Sequence, residues 1–363
     1  MAKMGKSLTE LAAEIERRAQ SKRDLIAPVS KLSMEVVDNE AVLAVSNGNV
    51  DTYALNSIAA GQLSEYVGIP KAYFDRMRDT APELLASSVN RWFKDKTDDR
   101  RMVRVLDGKN RAFLSNAYRT LENEDLGEAI LPVLLDLNLM FLSCEITDRR
   151  LYIKAVDASI ERDVPTGRLM GDGTHQFFDT VSPGITISNS ETGCGRLSVE
   201  TTIYTKACTN LAMIGTSFKK AHLGARADIS DDVYAMLTDQ TKRATDAAVW
   251  GQVRDVVRGA FEAARFQAQV DKLVKSTEVK LPAADVVEVI ERVGRRFSLN
   301  EGERKGVLTR LIEGGNLSLY GLHAAVTRHS ADIEDYDRAT ELERLGGEII
   351  DLPASAVKEL IAA

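Results

Sequence analysis

Histidine and cysteine are scarce here, four and three residues in a chain of 363, and their placement excludes more than their number does. The cysteines (Cys144, Cys194, Cys208) are an odd count with no Cys-x-x-Cys spacing, so they suggest neither a disulfide framework nor a thiolate metal site. Cys208 sits in a β-type run and reads as a core residue. Among the histidines (His175, His222, His323, His329) only the last two are close, and an i,i+6 spacing does not share a helix face. The sequence holds no His-Glu-x-x-His, EF-hand loop, Walker A or Gly-x-Ser-x-Gly elbow. Gly171-Asp172-Gly173 with Asp179 offers carboxylates, but a polar loop is the simpler reading. No metal, cofactor or catalytic residue is therefore expected. No run approaches the roughly 18 apolar residues that span a bilayer, so no membrane association is expected. The N-terminal segment lacks an apolar stretch of signal-peptide type, and Glu10, Glu14 and Glu16 argue against a transit peptide. Reduced thiols and the lack of a leader place the protein in the cytoplasm.

What the chain does have is uneven charge. The net charge is −7, yet residues 91–119 hold nine basic residues against four acidic ones. A local basic surface bearing aromatics, on an otherwise acidic protein, is the pattern of a nucleic-acid contact. Two β-rich runs flank Asp107-Gly108, the favoured residues of a type I′ hairpin turn. On such a ribbon Arg100, Met102, Arg104 and Leu106 share one face, with Arg101, Val103 and Val105 on the other. Across the turn Lys109, Arg111 and Phe113 alternate with Asn110, Ala112 and Leu114. The expectation is that Arg100, Arg101, Arg104, Lys109, Arg111 and Arg119 offer phosphate contacts, with Phe113 and Tyr118 stacking on bases. The competing reading is a solvated edge hairpin, blunted by charge against aggregation.

A second basic segment, residues 206–226, contains Lys206, Lys219, Lys220, His222 and Arg226 and no acid. Gly215 and Gly224 bracket a loop-like stretch whose N–H groups suit anions. Together the two segments suggest one basic groove. Residues 62–79 have helix-turn-helix spacing that would offer Lys71, Asp75 and Arg76 to a major groove, although any helix hairpin gives this pattern.

The remaining patterning indicates an α+β protein: an N-terminal helix (1–29), an α+β domain with the basic hairpin (30–228) and a mostly helical domain (229–363). Reversals at Asp38-Asn39 and Asn47-Gly48 indicate a small antiparallel meander. Pro70 and Pro82 open short helices. Leu126, Ile130, Leu131, Leu134 and Leu135 indicate a helix over 122–137. Residues 138–156 form another hairpin, turning near Asp148-Arg149. Residues 167–184, rich in Gly, Ser, Thr and Asp, read as a long loop of the kind that often carries function. Residues 184–214 return to β-character around Gly193-Cys194-Gly195. From Ser230 the pattern is helical, with one long helix to Lys275 and shorter ones at 284–296, 301–314, 317–330 and 354–363. Residues 227–363 carry 18 basic and 24 acidic residues, and this acidic, amphipathic region suits self-association into a homo-oligomer.

The run ITISNSETGCGRLSVETTIYTKACTNLAMI resembles the uncharacterised "phage/plasmid-like protein" family. Its marks are a strand ending at Ser188-Asn189-Ser190, a turn at Gly193 and a second strand closing on Cys208-Thr209-Asn210. IPKAYFDRM, VNRWF and NAYRTLENEDLGEAI add to the likeness, which spans about 30–230. Lys206 stands where the family pattern has Arg, and Glu191-Thr192 departs from it after Asn-Ser. The family has no settled activity; the resemblance implies a phage or plasmid setting, hence a host-cell cytoplasm and the handling of DNA. The leading expectation is a single-stranded DNA- or RNA-binding protein that anneals or protects strands, with Asn189 and Asn210 fixing turns. Two rivals are a host-directed anti-defence protein that binds no nucleic acid, and a nucleotide-acting enzyme with a pocket near 170–195.

Overall fold

Two six-stranded sheets organise the chain, and the character of their faces decides where each helix goes. The structure is a computed structural model that describes residues 5–169, 176–206, 210–220 and 238–361. It is an α+β fold, sheet-rich toward the N-terminus and helical toward the C-terminus.

Sheet 1 comprises β1 (Arg23–Pro28), β2 (Leu32–Val37), β3 (Glu40–Asn47), β4 (Asn49–Leu55), β5 (Arg100–Leu106) and β6 (Lys109–Ser115). Their order is β1-β5-β6-β4-β3-β2, antiparallel except for the β4–β6 pair. The meander turns fall at Asp38-Asn39 and Gly48, and the hairpin turn at Asp107-Gly108, all at positive φ. These are the reversals expected from the sequence. Helices α2 (Ser57–Val67), α3 (Lys71–Thr80) and α4 (Pro82–Phe93) cover one face. Leu43, Leu63, Phe74, Leu85, Val103 and Phe113 meet in the core between them. The expected helix-turn-helix segment therefore spends Phe74 and Met77 on packing, and Lys71 pairs with Asp75.

Sheet 2 contains β7 (Met140–Ile146), β8 (Leu151–Val156), β9 (Arg162–Leu169), β10 (Gln176–Asn189), β11 (Leu197–Thr205) and β12 (Asn210–Lys220). It runs β12-β11-β10-β8-β7, with β9 paired to the start of β10. Much of the span expected to be a long loop is thus a pair of strands. Only residues 170–175, including the Gly171-Asp172-Gly173 candidate and His175, lie outside the described residues.

Strand alternation makes the two faces of sheet 2 unlike. Ile153, Ile185, Ile187, Leu197 and Val199 pack under α1 (Leu8–Ser21), α5 (Asn123–Asp136) and α6 (Asp239–Gly259). Val181, Ile203 and Ile214 pack against Phe266, Val270 and Leu273 of α7 (Ala263–Glu278). The alternate residues Lys154, Thr186, Ser188, Ser198 and Glu200 are polar, yet they too are buried. Their cover is α11 (Tyr336–Ile350), whose Glu343 accepts from Lys154 at 2.6 Å and whose Arg344 donates to Glu200 at 2.7 Å. Helices α8 (Val286–Phe297), α9 (Glu301–Gly314), α10 (Leu319–His329) and α12 (Ala354–Ile361) share a third core with α11.

Three sequence expectations need correction. The change of pattern near residue 228 is a change of secondary structure and no gap between cores, because α6, α7 and α11 complete sheet 2. The N-terminal helix is no separate unit either, since Leu11 of α1 lies in the core with α5 and sheet 2. Ser230, where the helical pattern was expected to begin, lies outside the described residues. Thr238 caps α6, which ends at Gly259, and α7 begins at Ala263 in place of one continuous helix.

Candidate functional site

The basic hairpin forms as expected, but its two central arginines, Arg104 and Arg111, point inward. Arg104 is fully buried, and its Nε and Nη2 donate to Asp24 (2.9 Å) and Glu122 (2.5 Å). Its Nη1 donates to the Glu191 carbonyl at 2.7 Å. Arg111, also buried, donates to the Glu191 carboxylate at 2.8 Å. A β-bulge explains this side chain: Arg104 pairs with Ala112 and Val105 with Asn110, leaving Arg111 as the extra residue. A bulge re-aims its side chain, here toward the face that Arg104 occupies.

The expectation of exposed arginine tips at Arg104 and Arg111 is thus overturned, because carboxylates distant in sequence neutralise both. Phe113 is buried between Phe93 and Tyr66, and Tyr118 donates from its hydroxyl to the Ser190 carbonyl at 2.8 Å, so neither presents a free face. Arg119 is buried on Asp246 of α6. Arg101 lies over the Tyr66 ring at 4.4 Å, and burial lowers its pKa. Arg100 and Lys109 are exposed, but they stand at opposite ends of the ribbon. In the second segment Lys206 pairs with Glu161 and Lys219 with Glu200. Lys220 is half-buried at the end of β12, while His222 and Arg226 lie outside the described residues, as does Cys208. The two segments belong to different sheets and share no ion pair among the described residues.

Glu122 and Glu191 form the centre of this buried cluster. Burial pushes Glu122 up, and Glu191 adds to the rise against the pull of Arg104 and Lys22. Burial opposes ionisation of Glu191 as well, but a hydrogen bond from Glu122, the Arg111 charge and the Asn123 N–H at 2.8 Å hold it below the usual carboxylate range. Two adjacent carboxyls disfavour each other's charge, so one is pushed up and the other held down. Asn189 ties in the same corner, donating to the Leu121 carbonyl at 2.7 Å and to Asn123 at 2.9 Å. Asn210 donates to Thr327 at 3.4 Å. The cluster joins sheet 1 to sheet 2, with Arg104, Arg111 and Glu191 buried and Asp24, Lys22 and Glu122 reaching its solvent edge.

An open site lies elsewhere, in a cleft of about 220 Å³ where β9 and β10 meet α9 and α10. Three arginines (Arg168, Arg310, Arg328) face it against one carboxylate, Asp179. Phe177 and Phe178 at its mouth are 40% and 55% exposed. The Arg168 guanidinium stands 5.2 Å from the Phe177 ring. Arg310 is already committed, to Asp332 at 2.7 Å and Glu313 at 2.9 Å. Arg168 and Arg328 make no ion pair among the described residues.

Local sequence explains the shape. Gly315, at φ +61, ends α9 in the left-handed conformation, and Ser318 caps α10 by accepting from the Gly321 N–H. The short link between them aims Asn316 at β9, where its amide donates to the Thr166 carbonyl at 2.8 Å. Tyr320 donates to Asp179 at 2.6 Å, fastening α10 to β10. Gly321, Ala324 and Ala325 keep the α10 wall low enough to leave space.

The hairpin reading passed over Arg168, Arg328, Phe177 and Phe178. One local signal was present: adjacent phenylalanines in a strand point to opposite faces, so they cannot both enter one core. Among the described residues no group of three or more His, Cys, Asp and Glu gathers to hold a metal, and no helix is long and apolar enough to cross a membrane. Set against protein-family models, curated proteins and solved structures, the chain matches none.

Proposed function

We propose that the protein binds single-stranded nucleic acid, DNA or RNA, through the cleft between the β9–β10 strands and helices α9 and α10. In the phage or plasmid setting that the sequence resemblance implies, this serves to anneal or protect strands. One observation carries the reading: two guanidiniums without an ion pair among the described residues, Arg168 and Arg328, stand beside two solvent-exposed phenylalanine rings. Guanidinium forks bind phosphate bidentately, and exposed rings accept any base by stacking. A duplex hides its base faces and gains little from Phe177 and Phe178, so single strands are the favoured ligand.

The test is a fluorescence-anisotropy titration with single-stranded DNA, duplex DNA and RNA at two salt concentrations. Single strands bind more tightly than duplex. Two phosphate contacts give a log–log salt slope near −1.4, about a sevenfold loss of affinity between roughly 50 and 200 mM salt. Phe178→Ala removes about 1–3 kcal/mol of stacking. Absence of binding to every oligonucleotide at the lower salt defeats the proposal.

A further inference from the structure

We infer that the cleft receives the end of a strand, a terminal phosphomonoester with its nucleoside, and not a strand passing through. This rests on the nucleic-acid reading above and adds which part of the polymer is held.

Three observations lead there. The first is size. At roughly 30 Å³ per water the cleft has the room of about seven waters, below the ~300 Å³ of ordinary small-ligand pockets. That is space for a phosphate and part of its sugar, with the base left at the mouth. The second is closure. The bond from Asn316 to Thr166 ties the segment before α10 to β9, and the bond from Tyr320 to Asp179 ties α10 to β10. These two fastenings tie both strands to the helical wall and leave a partly enclosed recess with Phe177 and Phe178 in its lining. The third is charge. An internal phosphodiester brings one negative charge, whereas a terminal monoester brings nearly two above its second pKa of about 6. Arg168 and Arg328 supply two positive charges that no carboxylate among the described residues neutralises, and Arg310, held by Asp332 and Glu313, adds a fixed donor frame. Asp179 is the one carboxylate of the lining, so the cleft keeps a positive surplus, from which a dianion gains more than a diester does. The terminal base then stacks at the mouth, where Arg168 already lies over Phe177.

The experiment compares one oligonucleotide carrying an internal dye in three forms: with a 5′-phosphate, with a 3′-phosphate, and with hydroxyls at both ends. One phosphorylated end binds the full-length protein at least about tenfold more tightly than the hydroxyl form, the worth of a charge-assisted hydrogen-bond pair. Inorganic phosphate competes away that advantage. In the double variant Arg168→Gln/Arg328→Gln, shown folded by circular dichroism and thermal melting, the three forms bind alike. Equal affinity of the wild type for all three forms overturns end recognition while leaving strand binding intact. A preference that persists in the double variant overturns the assignment to this cleft. Binding of none of the forms removes the nucleic-acid reading itself.

Discussion

The hairpin of β5 and β6 and the cleft beside β9 and β10 both carry arginines next to aromatic rings, and they use them in opposite ways. On the hairpin the charges are dense in sequence and spent in space: Arg104 and Arg111 are enclosed by Asp24, Glu122 and Glu191. At the cleft they are sparse in sequence and unspent, with Arg168 and Arg328 facing the recess. Local charge density thus measures how many cations a segment has, while the availability of each depends on carboxylates that arrive from elsewhere. Burying a guanidinium without such partners costs several kcal/mol, so a buried cluster has to be nearly balanced. Only a surface site can retain uncompensated charge for a ligand.

The sharpest way to break this contrast is to neutralise the hairpin pair. Arg104→Gln with Arg111→Gln leaves Lys22 as the one cation paired with the Glu122–Glu191 carboxyls among the described residues and Asp24 without its arginine, and stability falls by about 3–5 kcal/mol in chemical denaturation. A loss below about 1 kcal/mol would return both residues to the surface role that the sequence suggested.

A smaller effect follows from the carboxyl pair. Glu122 is pushed up to about 7 from 4.5 in the folded protein. Between those two values the folded state keeps a proton that the unfolded chain releases, so this group's stabilisation is full below the lower value and is lost as pH rises to the upper. Glu122→Gln removes that dependence. Denaturation midpoints measured at pH 5 and pH 8 show the wild type losing up to about 3 kcal/mol more than the variant over this interval. Equal losses would mean that Glu122 titrates normally.

The smallest change is expected at the cleft. Arg168→Gln with Arg328→Gln shifts stability by less than about 0.5 kcal/mol, because neither side chain holds an ion pair among the described residues. A fall comparable to that of the hairpin variant would show these arginines to be structural, and the contrast would collapse.

Features set by neighbouring residues were legible in the sequence. Asp38-Asn39 and Asp107-Gly108 prescribe positive-φ turns, and both occur. Features set by distant residues were not. Glu191 lies 80 positions from Arg111, and Arg328 lies more than 150 from Arg168, so neither the cluster nor the cleft has a linear signature. Helix α11 was missed for a related reason. Its Gly346-Gly347 pair reads as a helix breaker, yet a Cβ on Gly347 would lie 1.8 Å from the Met213 carbonyl oxygen. Glycine is required because the helix backbone rests directly on β12, a demand that exists only once both elements are in place. The hairpin was legible as a shape and misleading as a site, since β-alternation reveals which residues share a face and leaves open what that face meets.

The polar face of sheet 2 also sets a timetable for synthesis. Lys154 must wait for Glu343, 189 residues later. At ribosomal rates of about 5–20 residues per second, that interval lasts roughly ten to forty seconds. Late in it, once sheet 2 and α6 have been made, Lys154, Glu200 and their serine and threonine neighbours remain hydrated on a half-covered sheet whose apolar side is able to collapse. A nascent chain in that state shows water a polar surface in place of a sticky one, and its charges close over only when α11 arrives.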